Sequence, residues 1–416
     1  MFKSTILEIS LSKNKRKIFN DPVYGFITLR FDIILDLIDH PYFQRLRRIK
    51  QLGLSHLVYP GALHTRFHHA IGAMHLTGRA IDTLRSKGTE ISEDEEKAVL
   101  IAILLHDIGH GPFSHSLEHT IVEGVHHEFI SDLFMQELNK EFNGELTLAI
   151  EVFNNRYHKK FLHQLVSSQL DMDRLDYLKR DSFYTGVTEG EVGNKRIIKM
   201  LNVHNDELVL DEKAIYSIEN FIVARRFMYW QVYLHKTVVA CEAMLIQTLK
   251  RAKYLASQGV DLFCSPDLHN FLYNMYTKES FKENNEALIS FSHLDDNDIL
   301  CAIKVWMHHE DIVLSKLSTM IINREIFKIQ ISQNDLNPEY DSIVIEISKR
   351  FNISYNDATY FVVNNSLINN AYNTEKDKIN LVYKDGTVKD IVAGSDNLNI
   401  SAQAKAVTKY YLCYPR

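Results

Sequence analysis

The stretch LLHDIGHGPFSH, Leu104 to His115, decides how this chain is read. It closes an apolar run, EEKAVLIAILLHDI (95–108), that is hydrophobic nearly all round, which predicts a helix buried on every side. His106 and Asp107 stand at the end of that helix. An imidazole and a carboxylate buried among Val, Leu, Ile and Ala are costly unless they find partners. A cation satisfies both together. His110 lies one turn beyond His106, Gly109 stops the helix, and Gly111 and Pro112 prevent its resumption. The resulting curl lets His115 face the same cavity.

Working outward, two more segments offer ligands. RFHHAIG (66–72) places His69 at a probable helix start, and LDMDRLDYLKRD (170–181) places Asp173, Tyr177 and Asp181 on one helical face. Two imidazoles and two carboxylates make a nitrogen–oxygen site without sulfur, suited to Mn²⁺, Mg²⁺, Fe²⁺ or Zn²⁺, with positions left for water and phosphate oxygens. A single histidine is ordinarily a satisfied core or surface residue. The weight therefore falls on the set, and on its density: of 20 histidines, ten (His64, His68, His69, His75, His106, His110, His115, His119, His126, His127) fall between 64 and 127, where even scatter would put about three.

The 416 residues, 45% hydrophobic and 24% charged, describe an ordinary globular protein. A net charge of -6 argues against a dedicated nucleic-acid binder. Cys241, Cys264, Cys301 and Cys413 lie far apart with no CxxC pair, which fits a reducing, cytoplasmic setting. The opening MFKSTILEISLSKNKRK has too short an apolar run for a signal peptide, and Ala98 to Leu105 is too short to span a bilayer. No membrane partner is expected.

The fold is expected to be mainly α. Residues 18–30 read as a hairpin, 32–52 as a helix broken at His40-Pro41, and 128–142, 162–181 and 212–257 as helices, the last as two packed segments. Strand-like runs return late: IFKIQI (326–331), SIVIEI (342–347), INLVYKDGTVKDIVA (379–393) and YYLCY (410–414). The division expected is a helical domain over 1–325, with its metal core at about 40–185, and a small α+β lobe over 326–416.

The order H…HD…D, here His69, His106-Asp107 and Asp173, resembles the HD-domain metal-dependent phosphohydrolases. NDPVYGFITL, FQRLRRIKQLG, YPGALHTRFHHAIG, LLHDIGHGPFSH, HHE and DMDRLDYLKRD resemble, in that order, the deoxynucleoside triphosphate triphosphohydrolases, over about residues 17–255. The stretch before residue 17 is too short for a sterile-alpha-motif domain, so the likeness is to single-module bacterial members. The resemblance implies hydrolysis of a dNTP to deoxynucleoside and inorganic triphosphate, with a divalent metal on His69, His106, Asp107 and Asp173. It implies His115 as proton donor to the leaving 5′-oxygen, Glu118 as its orienting acid (Asp in the vertebrate member), and His127 with Glu128 as a second His–acid pair. Arg66, His110, Arg174, Arg225 and Lys236 match positions that hold the triphosphate. Gln51 and Leu52 match residues beside the deoxyribose, and Tyr177, Asp181 and Tyr233 complete sugar recognition. Tyr229 and Leu234 stand where the vertebrate member has His and Gln near sugar and base.

A further set, Lys17, Asn20, Asp39, Gln44 and Arg47, matches the family's guanine-nucleotide activator site, which lies between subunits of a tetramer. The chemistry agrees, since a carboxylate accepts from guanine N1–H and N2–H₂ while Arg donates to O6 and N7. Taken without the resemblance, FQRLRRIK is a basic amphipathic helix of the kind that marks a solvated face. Dimer or tetramer assembly, with dGTP or GTP as activator, is the expectation. Two other readings suit the same residues: another HD-type phosphohydrolase (5′-nucleotidase or nuclease), and a nucleic-acid or nucleotide sensor, for which Lys13 to Lys17 is the only support.

Overall fold

The structure is a computed structural model that describes residues 17–113, 120–122, 124–283, 285–369, 371–373, 378–396 and 406–416. It is mainly α, as expected. The N-terminal hairpin pairs β1 (Ile18–Asp21) with β2 (Gly25–Thr28), Asp21 opposite Gly25. Helix α1 (Asp32–Asp39) buries Ile33, Ile34, Leu37 and Ile38 on one face. His40 is extended and Pro41 opens a separate single turn, because a residue before proline is driven out of the helical region.

Three helices position the chemistry. α2 (Arg66–Ser86) packs against both α3 (Glu93–Leu105) and α7 (Met172–Thr185). α3 starts at a Ser92/Glu95 capping box, carries Glu93 to Glu96 in its first turn and is buried throughout from Ala98 to Leu105. Between α3 and α7 come α4 (His127–Glu141), α5 (Thr147–Phe153) and α6 (Lys160–Val166). The single helix expected over 162–181 is thus two. Asp171 makes the break: its carboxylate accepts from the Ser168 and Arg174 backbone N–H groups, at 2.7 Å each, which caps α7 and closes the preceding turn.

A hairpin that periodicity did not mark, β3 (Leu201–His204) and β4 (Glu207–Asp211), turns at Asn205 and Asp206, both at positive φ. α8 (Ile215–Met228) and α9 (Lys236–Ser257) are the two segments expected over 212–257, joined by a π-type turn at Tyr229–Tyr233. Helices α10 (Asp296–Trp306) and α11 (Ile312–Ile322) follow.

In the C-terminal region β5 (Lys328–Ser332), β9 (Val407–Tyr414) and β6 (Val363–Asn369) form an antiparallel sheet with β9 central. SIVIEI is not a strand. It lies inside α12 (Asn337–Phe351), where Pro338 opens the helix and Ile343, Val344 and Ile347 are buried together at helical spacing. Packing on one stripe overrides the β preference of branched side chains. β7 (Asn380–Val382) and β8 (Val388–Asp390) flank the expected Lys384-Asp385-Gly386 turn. β7 then pairs in parallel with β4, Leu210 opposite Leu381, so backbone hydrogen bonds cross the 325/326 division.

Gly72, on α2, faces α7 so closely that a β-carbon there would overlap Arg180 Nη2 and Asp176 Oδ1. An ordinary helical Gly→Ala change stabilises by about 1 kcal/mol. Here overpacking, at about 1–3 kcal/mol or more, sets the sign. Gly72→Ala should lower the melting temperature by several degrees in a circular-dichroism melt; an equal or higher value would show that the two helices are not in such contact.

Candidate metal centre and nucleotide cavity

His69 lies one turn into α2 and is wholly buried. Its Nδ1 is 2.8 Å from Asp176 Oδ2 on α7, which fixes the ring and turns Nε2 inward. That Nε2 is 3.0 Å from Asp173 Oδ1 and 3.8 Å from Asp107 Oδ2. His106 ends α3 and its Nδ1 is 2.6 Å from the Ile103 carbonyl. Its Nε2 is 3.4 Å from Asp107 Oδ1 and 3.5 Å from Asp173 Oδ1. Both Nε2 atoms are buried without a hydrogen bond, although carboxylate oxygens surround them. The groups face a common point rather than one another, which suits a divalent cation. His69, His106 and Asp173 are thus brought together in a group that could hold one, while Asp107, the fourth expected ligand, flanks it through both imidazoles.

Electrostatics agree with that geometry. Burial would lower the His69 pKa, but the facing carboxylates of Asp173 and Asp176 outweigh it and lift it to about 10. His106 is also raised: Asp107 and Asp173 outweigh its burial. Asp173 is held below the usual carboxylate range by His106 and His69, against burial. Asp107 is lowered too, by His106, Arg66 and His110, again against burial.

Asp107 is grouped instead with His110 and His127, whose rings stack at 3.7 Å and 16°. His110 Nε2 is 3.3 Å from Asp107 Oδ1, and burial with the nearby Arg66 charge keeps His110 well below its ordinary pKa. Arg66 pairs with Asp107 directly. The turn after α3 is pinned by Ser131, which donates to the His106 carbonyl at 2.7 Å and accepts from Gly109 N–H at 2.9 Å. A β-carbon on Gly109 would overlap the His127 carbonyl and Ser131 N, so only glycine lets α4 approach. Glu128, next to His127, is exposed and is not brought into this group. His115 and Glu118 lie outside the described residues.

Beside the metal cluster opens a cavity of about 440 Å³. Arg66, Asp173 and Arg174 line it on the metal side, together with Gln51, Leu52, Tyr177, Asp181, Tyr229, Tyr233, Leu234 and Glu242. Arg174 is paired with Asp171, while its Nε has no hydrogen bond. Arg225 does not line the cavity; it stands 5.8 Å from the Tyr229 ring, behind the wall. Asp181 is buried and accepts from Tyr233 Oη at 2.8 Å and His64 Nε2 at 2.7 Å. Tyr233 packs edge-on to Tyr177 at 6.0 Å.

The activator candidates gather on another surface. Lys17 Nζ is 3.5 Å from Asp39 Oδ2, Asn20 lies in β1, and Arg47 Nε donates to Gln44 Oε1 at 2.8 Å. The Arg47 guanidinium sits 3.5 Å from the ring centroid of Phe67, in the same first turn of α2 that carries Arg66 and His69.

The HD-domain profile matches residues 66–181 and the HD-associated-region profile matches 192–280. The chain is 33% identical to the uncharacterized protein YwfO of Bacillus subtilis over 97% of its own length and 93% of that protein's. It superimposes on a phosphohydrolase from Bacteroides thetaiotaomicron with a TM-score of 0.94 and 58% identity, covering 97% of this chain and all of that one. The chain belongs to the HD-domain phosphohydrolase family. A Dictyostelium discoideum relative, named a deoxynucleoside triphosphate triphosphohydrolase SAMHD1 homolog, is 33% identical over 58% of this chain, which spans half the length of that relative. No helix among the described residues is long and apolar enough to cross a membrane.

Two functional residues of this HD-domain protein escaped the sequence. Asp176 holds His69 and is held in turn by Arg180, through Nε and Nη2 at 2.9 Å, with Asp21 accepting from Arg180 Nη1 at 2.8 Å. His64, one of the histidines without an expected role, orients Asp181. Asp176 lies i+3 from Asp173, a helical spacing that marks a shared face, but nothing local marks His64. Asp176→Asn should weaken metal binding about 10- to 100-fold, measured by calorimetry; unchanged affinity would remove Asp176 from the site. Metal needs a free His69 Nε2, so binding below about pH 10 must displace a proton. Affinity should therefore rise with pH, by up to about tenfold per unit for each proton displaced. Calorimetry in buffers of different ionisation enthalpy reads the released protons directly, and a buffer-independent heat would contradict this assignment.

Proposed function

We propose that this protein is a metal-dependent dNTP triphosphohydrolase, acting in the cytoplasm and activated by a guanine nucleotide at a subunit interface. The observation that carries the reading is a cavity that meets the metal-competent group of His69, His106 and Asp173 at Asp173, with Arg66 and Arg174 beside it and aromatic and carboxylate groups of a size to hold a sugar along the rest of its wall. The relatives named deoxynucleoside triphosphate triphosphohydrolase support it.

A bound divalent ion would polarise an α-phosphate oxygen and lower the pKa of a water. The chain's own residues do the rest. Arg66 and Arg174, held by Asp107 and Asp171, present their guanidinium charge to the triphosphate. His110, held neutral, is able to hydrogen-bond phosphate without repelling the metal. His127 stacks on it and keeps its plane. Tyr177 packs against the sugar, and Asp181, oriented by His64 and Tyr233, accepts from the 3′-hydroxyl. The buried Gln51 Oε1, which lacks a hydrogen-bond partner, and Leu52 close the wall where a ribose 2′-hydroxyl would need room. His115 remains our candidate for protonating the 5′-oxygen, with Glu118 orienting it.

For activation, the support is the packing of Arg47 on Phe67. A guanine accepted by Asp39 and Arg47 would press on the turn that presents Arg66 and His69. Tetramer or dimer assembly by the nucleotide follows from that placement at an exposed surface.

Chromatography of products from the four dNTPs, with Mn²⁺ or Mg²⁺, tests the chemistry. Triphosphate plus deoxynucleoside is expected; stepwise orthophosphate would indicate a different phosphohydrolase. Asp107→Asn should abolish turnover with the fold retained. Added dGTP should raise dATP or dCTP turnover and shift the protein to a larger species by light scattering; turnover indifferent to guanine nucleotide would sink the activator site alone.

A further inference from the structure

Glu242 projects into the nucleotide cavity from α9, a helix that carries none of the candidate metal ligands. Ser55 and Leu234 line the same cavity. No hydrogen bond or ion pair fixes its carboxyl among the described residues. Burial, with no charged neighbour to oppose it, pushes its pKa up to about 7. A carboxyl left unpaired on a cavity wall costs stability. Such a group is retained most simply where a ligand supplies the partner.

The ligand's orientation follows from the other anchors. Phosphates belong beside Arg66, Arg174 and Asp173, and the sugar beside Tyr177 and Asp181. The base is then left with Gly53, Ser55, Phe113, Tyr229, Leu234 and Glu242, of which Glu242 alone carries an ionisable carboxyl. We infer that Glu242 reads the nucleobase and favours adenine, cytosine and guanine, whose exocyclic amino groups donate, over thymine. An ionised carboxylate only accepts. Thymine offers it one N3–H flanked by two carbonyl oxygens, which it repels, while each amino base offers an unopposed N–H. This rests on the dNTP reading of the cavity.

The test uses the metal-loaded full chain at pH 8.5 and the four dNTP analogues in which CH₂ replaces the 5′-oxygen, so the bond in question is absent. Wild-type protein should bind the amino-bearing analogues at least about tenfold more tightly than the thymine analogue, the scale of one hydrogen bond to a charged group. Glu242→Gln, or Glu242→Met if the first melts early, should shrink that ratio to about threefold or less without weakening the thymine analogue. An unchanged ratio in a variant that melts like wild type overturns the inference, as does a wild type that does not discriminate or does not bind. Triphosphate release from natural dNTPs is scored separately on wild type. Base-selective binding without it sinks the triphosphohydrolase reading and leaves Glu242 as the base reader.

Discussion

A buried chain of charges holds this molecule's chemistry in place: His69 to Asp176, Asp176 to Arg180, and Arg180 to Asp21. Arg180, Asp176 and His69 have no exposed side-chain surface. Breaking such a network by removing one member leaves an uncompensated charge, at a cost of about 3–5 kcal/mol. It ties α2 to α7 and both to the N-terminal hairpin, and Gly72 gives it room. The arrangement points one imidazole nitrogen at the carboxylates of Asp107 and Asp173. Stability and function therefore draw on the same contacts.

Around that network the site is built from helix ends. His106 and Asp107 leave α3 where its carbonyls run out, His127 begins α4, and Asp173 lies in the first turn of α7. Ser131 holds the turn that follows α3 and Asp171 caps α7, and both contacts set the direction of the neighbouring ligands. A second clamp lies farther along the chain. Asp296, buried at the start of α10, accepts from Lys50 N at 3.0 Å and Phe113 N at 2.9 Å. Phe113 has a φ of 51°, uncommon for a residue with a β-carbon. One carboxylate thereby joins the segment before Gln51 and Leu52 to the loop that leads toward His115.

The candidate site was legible where chemistry is local. HDIGHGPFSH announces itself because polar residues end an all-apolar helix, and His40-Pro41 and Gly109 marked two of the helix limits. The hairpin at 18–30, the late strands and the two segments over 212–257 follow from alternation and punctuation. SIVIEI misled because four β-branched residues within six positions fit either period, and only the buried stripe of Ile343, Val344 and Ile347 decides between them. The Asp171 break was hidden because a capping side chain looks like any other helical carboxylate until its partners are known.

What the chain's order of residues determined by itself was the kind of chemistry: imidazole and carboxylate donors, no sulfur, basic groups for phosphate, on buried helices. Those properties belong to residue types and short spacings. Only the tertiary structure decided which groups meet. It turned His64 from a bystander into the support of Asp181, left Glu128 in solvent and Arg225 behind the cavity wall, and brought Glu242 to the far side of the site from a helix some 70 residues beyond Asp173. The reason is that orientation depends on packing between segments distant in sequence, and no local pattern records which face of a helix its neighbours will cover.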